Sequence, residues 1–188
     1  MAEPRPPAPL TVCLILEGSY PFITGGVSAW VQELISALPD IRFVLYTLSP
    51  KPDQPVRYTL PANVTGHADV VLQAHRPSRP RPRGSRTALV REVRRVHAQF
   101  AARAAPDLSD LLRRMPVGYS PASDAVRHPQ AWRMVVEGNL AHNPVYPFAD
   151  YFWSWKGSHD MLFTVLAHEA PAADLYHAVS TGYAGLAG

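Results

Sequence analysis

A single cysteine, Cys13, stands in 188 residues. It excludes an intrachain disulfide framework and fits a reducing compartment. No run of 18 apolar residues occurs, so no membrane-spanning helix is encoded. The start, Met1 to Pro9, is Pro-rich with one Arg and one Glu. It lacks the charged and apolar regions of a signal peptide, and a cytoplasmic location is the expectation. The Gly-Lys-Ser/Thr of a P-loop is missing. So is a G-x-G-x-x-G in the turn after the first strand, which argues against a dehydrogenase or epimerase of the dinucleotide-binding type. The histidines His67, His75, His97, His128, His142, His159 and His168 have no metal-ligand spacing. Spacing points to no nucleophile–base pair, and there is no internal repeat.

What is present is globular: 47% hydrophobic and 18% charged residues, enough for one domain of ordinary size. The net charge of +3 hides an asymmetry. Residues 76–103 hold nine Arg and one acidic residue, Glu92, while the rest of the chain carries −5. A mildly acidic body with one basic segment argues against a nucleic-acid-binding domain, and no nucleic-acid partner is expected.

Residues 11–17 are a nearly continuous apolar run, the pattern of a strand buried on both faces. Val27, Trp30, Val31, Leu34, Ile35 and Leu38 then mark one face of a helix over 26–38, which Pro39 stops. Residues 41–48 read as a second strand. Strand–helix–strand is the unit of a doubly wound α/β domain with a mostly parallel, Rossmann-like sheet. A weak strand pattern follows at Val56–Leu60, and Val70–Leu72 reads as another short strand. Residues 1–10 are expected to be a disordered tail, and 76–86 a basic, Pro-rich linker. Residues 87–170 read as a large helical insertion, with helices near 87–103, 108–115, 129–141 and 148–168. Residues 173–179 read as a strand, followed by a loop and one helical turn. A strand–loop–helix that stops after one turn leaves its next element without a partner. The domain over 11–188 is therefore expected to be incomplete at its C-terminus.

The stretch from Glu17 to Trp30 joins the first strand to the first helix, at the carboxyl edge where open α/β sheets bind ligands. Gly25 and Gly26 directly precede the helix, so the backbone offers close approach to a ligand. The helix N-terminus adds free N–H groups and partial positive charge, suited to phosphate or diphosphate. The competing explanation is a plain tight turn capped by Ser28 or Thr24.

The run Leu14–Val31, containing Glu17-Gly18-Ser19-Tyr20-Pro21-Phe22-Ile23-Thr24-Gly25-Gly26-Val27-Ser28, resembles the N-terminus of the PelF-type glycosyltransferases. The block Asp174-Leu175-Tyr176-His177-Ala178-Val179-Ser180-Thr181-Gly182-Tyr183-Ala184-Gly185-Leu186 is similar to the strand–loop–helix near the end of that family's first domain. The resemblance implies a retaining, nucleotide-sugar-dependent enzyme of the GT-B arrangement, of which this chain would be the acceptor-side half. It implies a donor-diphosphate loop at Gly25, Gly26 and Val27, and a hexose donor, a UDP-sugar, bound as substrate with no further cofactor. It also implies a glycan acceptor, a C-terminal donor domain absent here, and work on Pel-like exopolysaccharide beside an inner-membrane export complex.

Glu17, Tyr20, His177 and Thr181 are the candidates for acceptor or sugar contacts. Each has a plainer explanation. Glu17 can be a carboxylate bonded to a helix or loop, and His177 a satisfied core histidine. Ser180, Thr181 and Gly182 open a helix and can cap it. Tyr20, Trp153 and Trp155 can be core. The Arg-rich segment 76–95 suits either an anionic lipid surface or a solvated linker and helix face. A non-catalytic module docking to a membrane-associated complex is the alternative function.

Overall fold

The computed structural model describes residues 9–73, 84–115, 127–142 and 145–188, with His142 described in its backbone alone. The first apolar run is a strand, β1 (Thr11–Glu17), whose five central residues are all buried. Burial on both faces explains why its apolar run does not alternate. Helix α1 (Gly26–Ala37) turns Val31 and Ile35 inward. β2 (Arg42–Ser49), β3 (Val64–Val71) and β4 (Leu175–Ala178) complete a sheet of order β3-β2-β1-β4, parallel at every pairing. The fold is α/β, with the Rossmann-like strand order. From β1 the chain lays β2 and β3 to one side and β4 to the other. The β1/β4 boundary is therefore the topological switch point.

On one sheet face Val12, Leu14, Leu16, Phe43 and Leu45 pack with Tyr20, Val31 and Ile35. The alternate residues Cys13, Ile15 and Tyr46 are buried too. Burial pushes the Cys13 thiol up to about 11, so it stays protonated and inert. Helix α6 (Gly182–Ala187) buries Ala184.

Two expectations change here. Val56–Leu60 is coil, and Val70 and Val71 are the end of a longer strand that starts at Val64, with Leu72 in the turn after it. Gly66, His67 and Asp69 dilute the strand signal of β3, an edge strand whose burial alternates. The β2–β3 connection is anchored by Asn63. Its Nδ2 donates to the carbonyls of Ile35 (3.0 Å), Leu38 (3.0 Å) and Ile41 (3.2 Å), where α1 ends.

The chain divides into two compact units, Met1–Ala74 with Glu169–Gly188, and His75–His168. The second carries α2 (Arg86–Ala101), α3 (Ser109–Arg114), α4 (Pro129–His142) and α5 (Phe148–Leu166). Leu89, Val93 and Val96 of α2 pack with Leu111, Met115 and Phe163, while Val90 joins Ala131, Val135 and Trp155. Arg94 pairs with Glu137 and Arg95 with Glu92, so part of the basic segment is tied into ion pairs. Residues 76–83 of the basic linker and 1–8 of the tail lie outside the described residues. Among the described residues no helix is long and apolar enough to cross a membrane.

Candidate functional site

The loop from Gly18 to Gly25 runs over the carboxyl ends of β1 and β2. Gly18 has a positive φ of 56°, which favours glycine, and donates its N–H to the Leu48 carbonyl (3.1 Å). Pro21 accepts from the Arg57 amide (2.8 Å), tying the loop to the β2–β3 connection. Gly25 is the N-cap residue of α1. No side chain caps this helix, and its first turn holds no acidic residue. Thr24 and Ser28 therefore do not perform the capping role considered above. A Cβ built at Gly25 or Gly26 would meet nothing within 4 Å, and Val27 is exposed. Among the described residues, no side chain caps the positive end of α1, and there is open space where a Cβ at Gly25 or Gly26 would stand.

The second helix N-terminus at the switch point is filled. Glu17, the last residue of β1, accepts hydrogen bonds at Oε2 from the amides of Tyr183 (2.9 Å) and Ala184 (3.3 Å). It is the cap of α6, supplied from across the sheet. Thr181 occupies the N-cap position but makes no side-chain capping bond. A Cβ at Gly182 would come within 2.7 Å of Glu17 Oε2, so glycine leaves room for the carboxylate.

His177 is exposed on β4, opposite Leu14 of β1, and meets the Trp30 ring of α1 edge-on at 6.2 Å. Trp30 is itself 45% exposed, so the pair is a surface feature rather than core. Tyr20 is a correction. It is 0% exposed, packs its ring 5.1 Å from Tyr58, and donates its hydroxyl to Gln32 Oε1 (2.7 Å), so it cannot present a face to a sugar. Burial and the neighbouring Tyr58 push its phenol up to about 12. In the second unit Trp155 is core, whereas Trp153 is 65% exposed.

One constellation escaped the sequence reasoning. Thr47 and Ser49 at the end of β2 are 2% and 1% exposed. Both donate to Oδ1 of Asp69 on β3, Thr47 across 2.6 Å. The Nε2 of His67 lies 2.9 Å from the Thr47 hydroxyl, and the His67 ring sits 5.7 Å from that of Phe22 in the β1–α1 loop. Partial desolvation holds the imidazole of the exposed His67 below its ordinary range, against the opposing pull of Asp69. The signal existed as Thr-x-Ser and His-x-Asp, each spaced to share a strand face. Only the β2–β3 register, with Thr47 opposite Asp69, joins the two pairs. Among the described residues no group of three or more His, Cys, Asp or Glu is placed to hold a metal ion.

No curated protein and no solved structure matches this chain. A family profile described as "Domain of unknown function (DUF3492)" matches residues 10–188. The chain therefore belongs to that family.

Proposed function

We propose that this chain is the acceptor-side part of a nucleotide-sugar-dependent glycosyltransferase. It would help move a hexose from a UDP-sugar to a polysaccharide or other glycan acceptor in exopolysaccharide biosynthesis. The observation that carries the reading is the N-terminus of α1, without a side-chain cap and with open space at Gly25 and Gly26, at the switch point of a parallel sheet. A departing diphosphate gathers negative charge in the transition state, and free helix amides aimed at it are suited to stabilise that charge. The contrast with α6 supports this, because that helix already has Glu17 as its anion. On this reading the protein works in the cytoplasm, peripherally at the inner membrane face, beside a polysaccharide export complex and with a second, donor-binding domain.

The test is calorimetric titration of the chain with uridine diphosphate. The unmodified protein is expected to bind and Gly26→Val to lose at least tenfold in affinity. The variant's circular dichroism and melting temperature should hold, since a Cβ at position 26 meets nothing within 4 Å. Absence of binding, or binding indifferent to Gly26→Val, would remove the loop from the mechanism.

A further inference from the structure

The Asp69 cluster has a structural job and something left over. Two nearly fully buried hydroxyls need an acceptor, because a buried unsatisfied hydroxyl is costly. Asp69 meets that need with Oδ1 alone. Its Oδ2 has no partner among the described residues, and the residue is exposed. A carboxylate only accepts, so the single Thr47 proton goes to Asp69, and Thr47 must accept from Nε2–H of His67. That fixes the neutral His67 tautomer with Nδ1 as a bare acceptor. Nδ1 too has no partner among the described residues, and His67 is likewise exposed.

Two acceptors therefore stand on one face of β3, on residues whose Cα atoms are about 7 Å apart along the strand. The half-buried ring of Phe22 lies 5.7 Å from the His67 ring. A ligand suited to this surface brings hydroxyl donors and an apolar C–H face. A cation is less well served. Nε2 and Oδ1 are already engaged, and no third His, Cys, Asp or Glu joins the pair among the described residues.

We infer that His67 and Asp69, with Phe22 as a ledge, bind hydroxyl groups of a sugar ring, the acceptor saccharide if the glycosyl-transfer reading above, on which this rests, is right. Thr47 and Ser49 are positioning residues that hold the Asp69 carboxylate. Depression of the His67 pKa supports the assignment, since it keeps the imidazole neutral and accepting at pH 7.

The test uses the whole chain and Asp69→Asn. Asparagine keeps an oxygen for Thr47 and Ser49 but turns the outward acceptor into a donor, so folding and recognition separate. His67→Gln is the second variant. The probes are the methyl glycosides of glucose, galactose, N-acetylglucosamine and N-acetylgalactosamine, followed by saturation-transfer NMR, with uridine diphosphate followed by calorimetry. At least one glycoside should bind the unmodified chain and bind both variants at least tenfold more weakly, with uridine diphosphate affinity unchanged. Glycoside binding that survives Asp69→Asn, or no glycoside binding at all, overturns the pair. The glycosyl-transfer reading still stands in either case if uridine diphosphate binds and Gly26→Val abolishes it. Loss of both ligands from the unmodified chain removes both proposals. Manganese or zinc binding that depends on Asp69, without glycoside binding, overturns the inference in favour of a cation site.

Discussion

At the scale of single residues, Glu17 and Thr181 exchange the roles their local sequence suggests. Thr181 precedes a helix and has a capping hydroxyl, yet the hydroxyl makes no capping bond. Glu17 ends a strand and reaches the first-turn amides of α6. A carboxylate is the better acceptor there, because it adds charge complementarity to the hydrogen bonds. Glu17→Ala is accordingly expected to lower stability by about 1 kcal/mol, in the range of a lost N-cap. Thr181→Val should cost less than about 0.5 kcal/mol, as for a surface change that breaks no special contact. Urea unfolding of the two variants checks this, and an equal or reversed order would return the cap to Thr181.

At the scale of elements, the helix pair α2 and α5 meets through two histidines. His97 and His159 place their Nε2 atoms 2.9 Å apart, with rings nearly parallel. Nδ1–H of His159 donates to the Trp155 carbonyl at 2.7 Å, so its Nε2 accepts from Nε2–H of His97. Burial, then the neighbouring His159, depress His97 to about 4. Burial also lowers His159, against the Trp155 carbonyl and Asp160. The unfolded chain, with histidines near 6.5, takes up protons first as the pH falls. Stability from this contact is therefore complete above about pH 6.5 and lost on acidification towards pH 4. Melting curves between pH 7.5 and 4 should show that fall, and His97→Asn should flatten it. An unchanged slope in the variant would place the acid sensitivity elsewhere.

At the scale of the molecule, the sheet grades from centre to edge. β1 is paired on both sides, and its central residues are all buried. β4 is a four-residue edge strand with Leu175, Tyr176 and His177 exposed. Amide exchange should be slowest at Cys13–Leu16 and faster by orders of magnitude at Leu175–Ala178. Equal protection would mean that β4 is covered in solution. The length alone pointed to one domain, whereas the contacts gather into two units with separate cores.

Local sequence was enough for the elements whose pattern is self-contained. The apolar run of β1, the helical spacing of Val31 and Ile35, and the helix near 87–103 follow from periodicity, because burial acts on each element residue by residue. The α/β class follows from their order. β3 was only half legible, since an edge strand tolerates Gly66, His67 and Asp69 on its open face. Gly25 and Gly26 were legible as the point where a loop meets a helix at a sheet edge, but not the fact that no side chain caps that helix. Tertiary structure alone decided that Tyr20 is core, that Glu17 caps a helix beginning at Gly182, and that Thr47 and Ser49 converge on Asp69. Each of these depends on strand order and register, and hydrogen bonds between residues far apart in the chain leave no periodic trace within either segment.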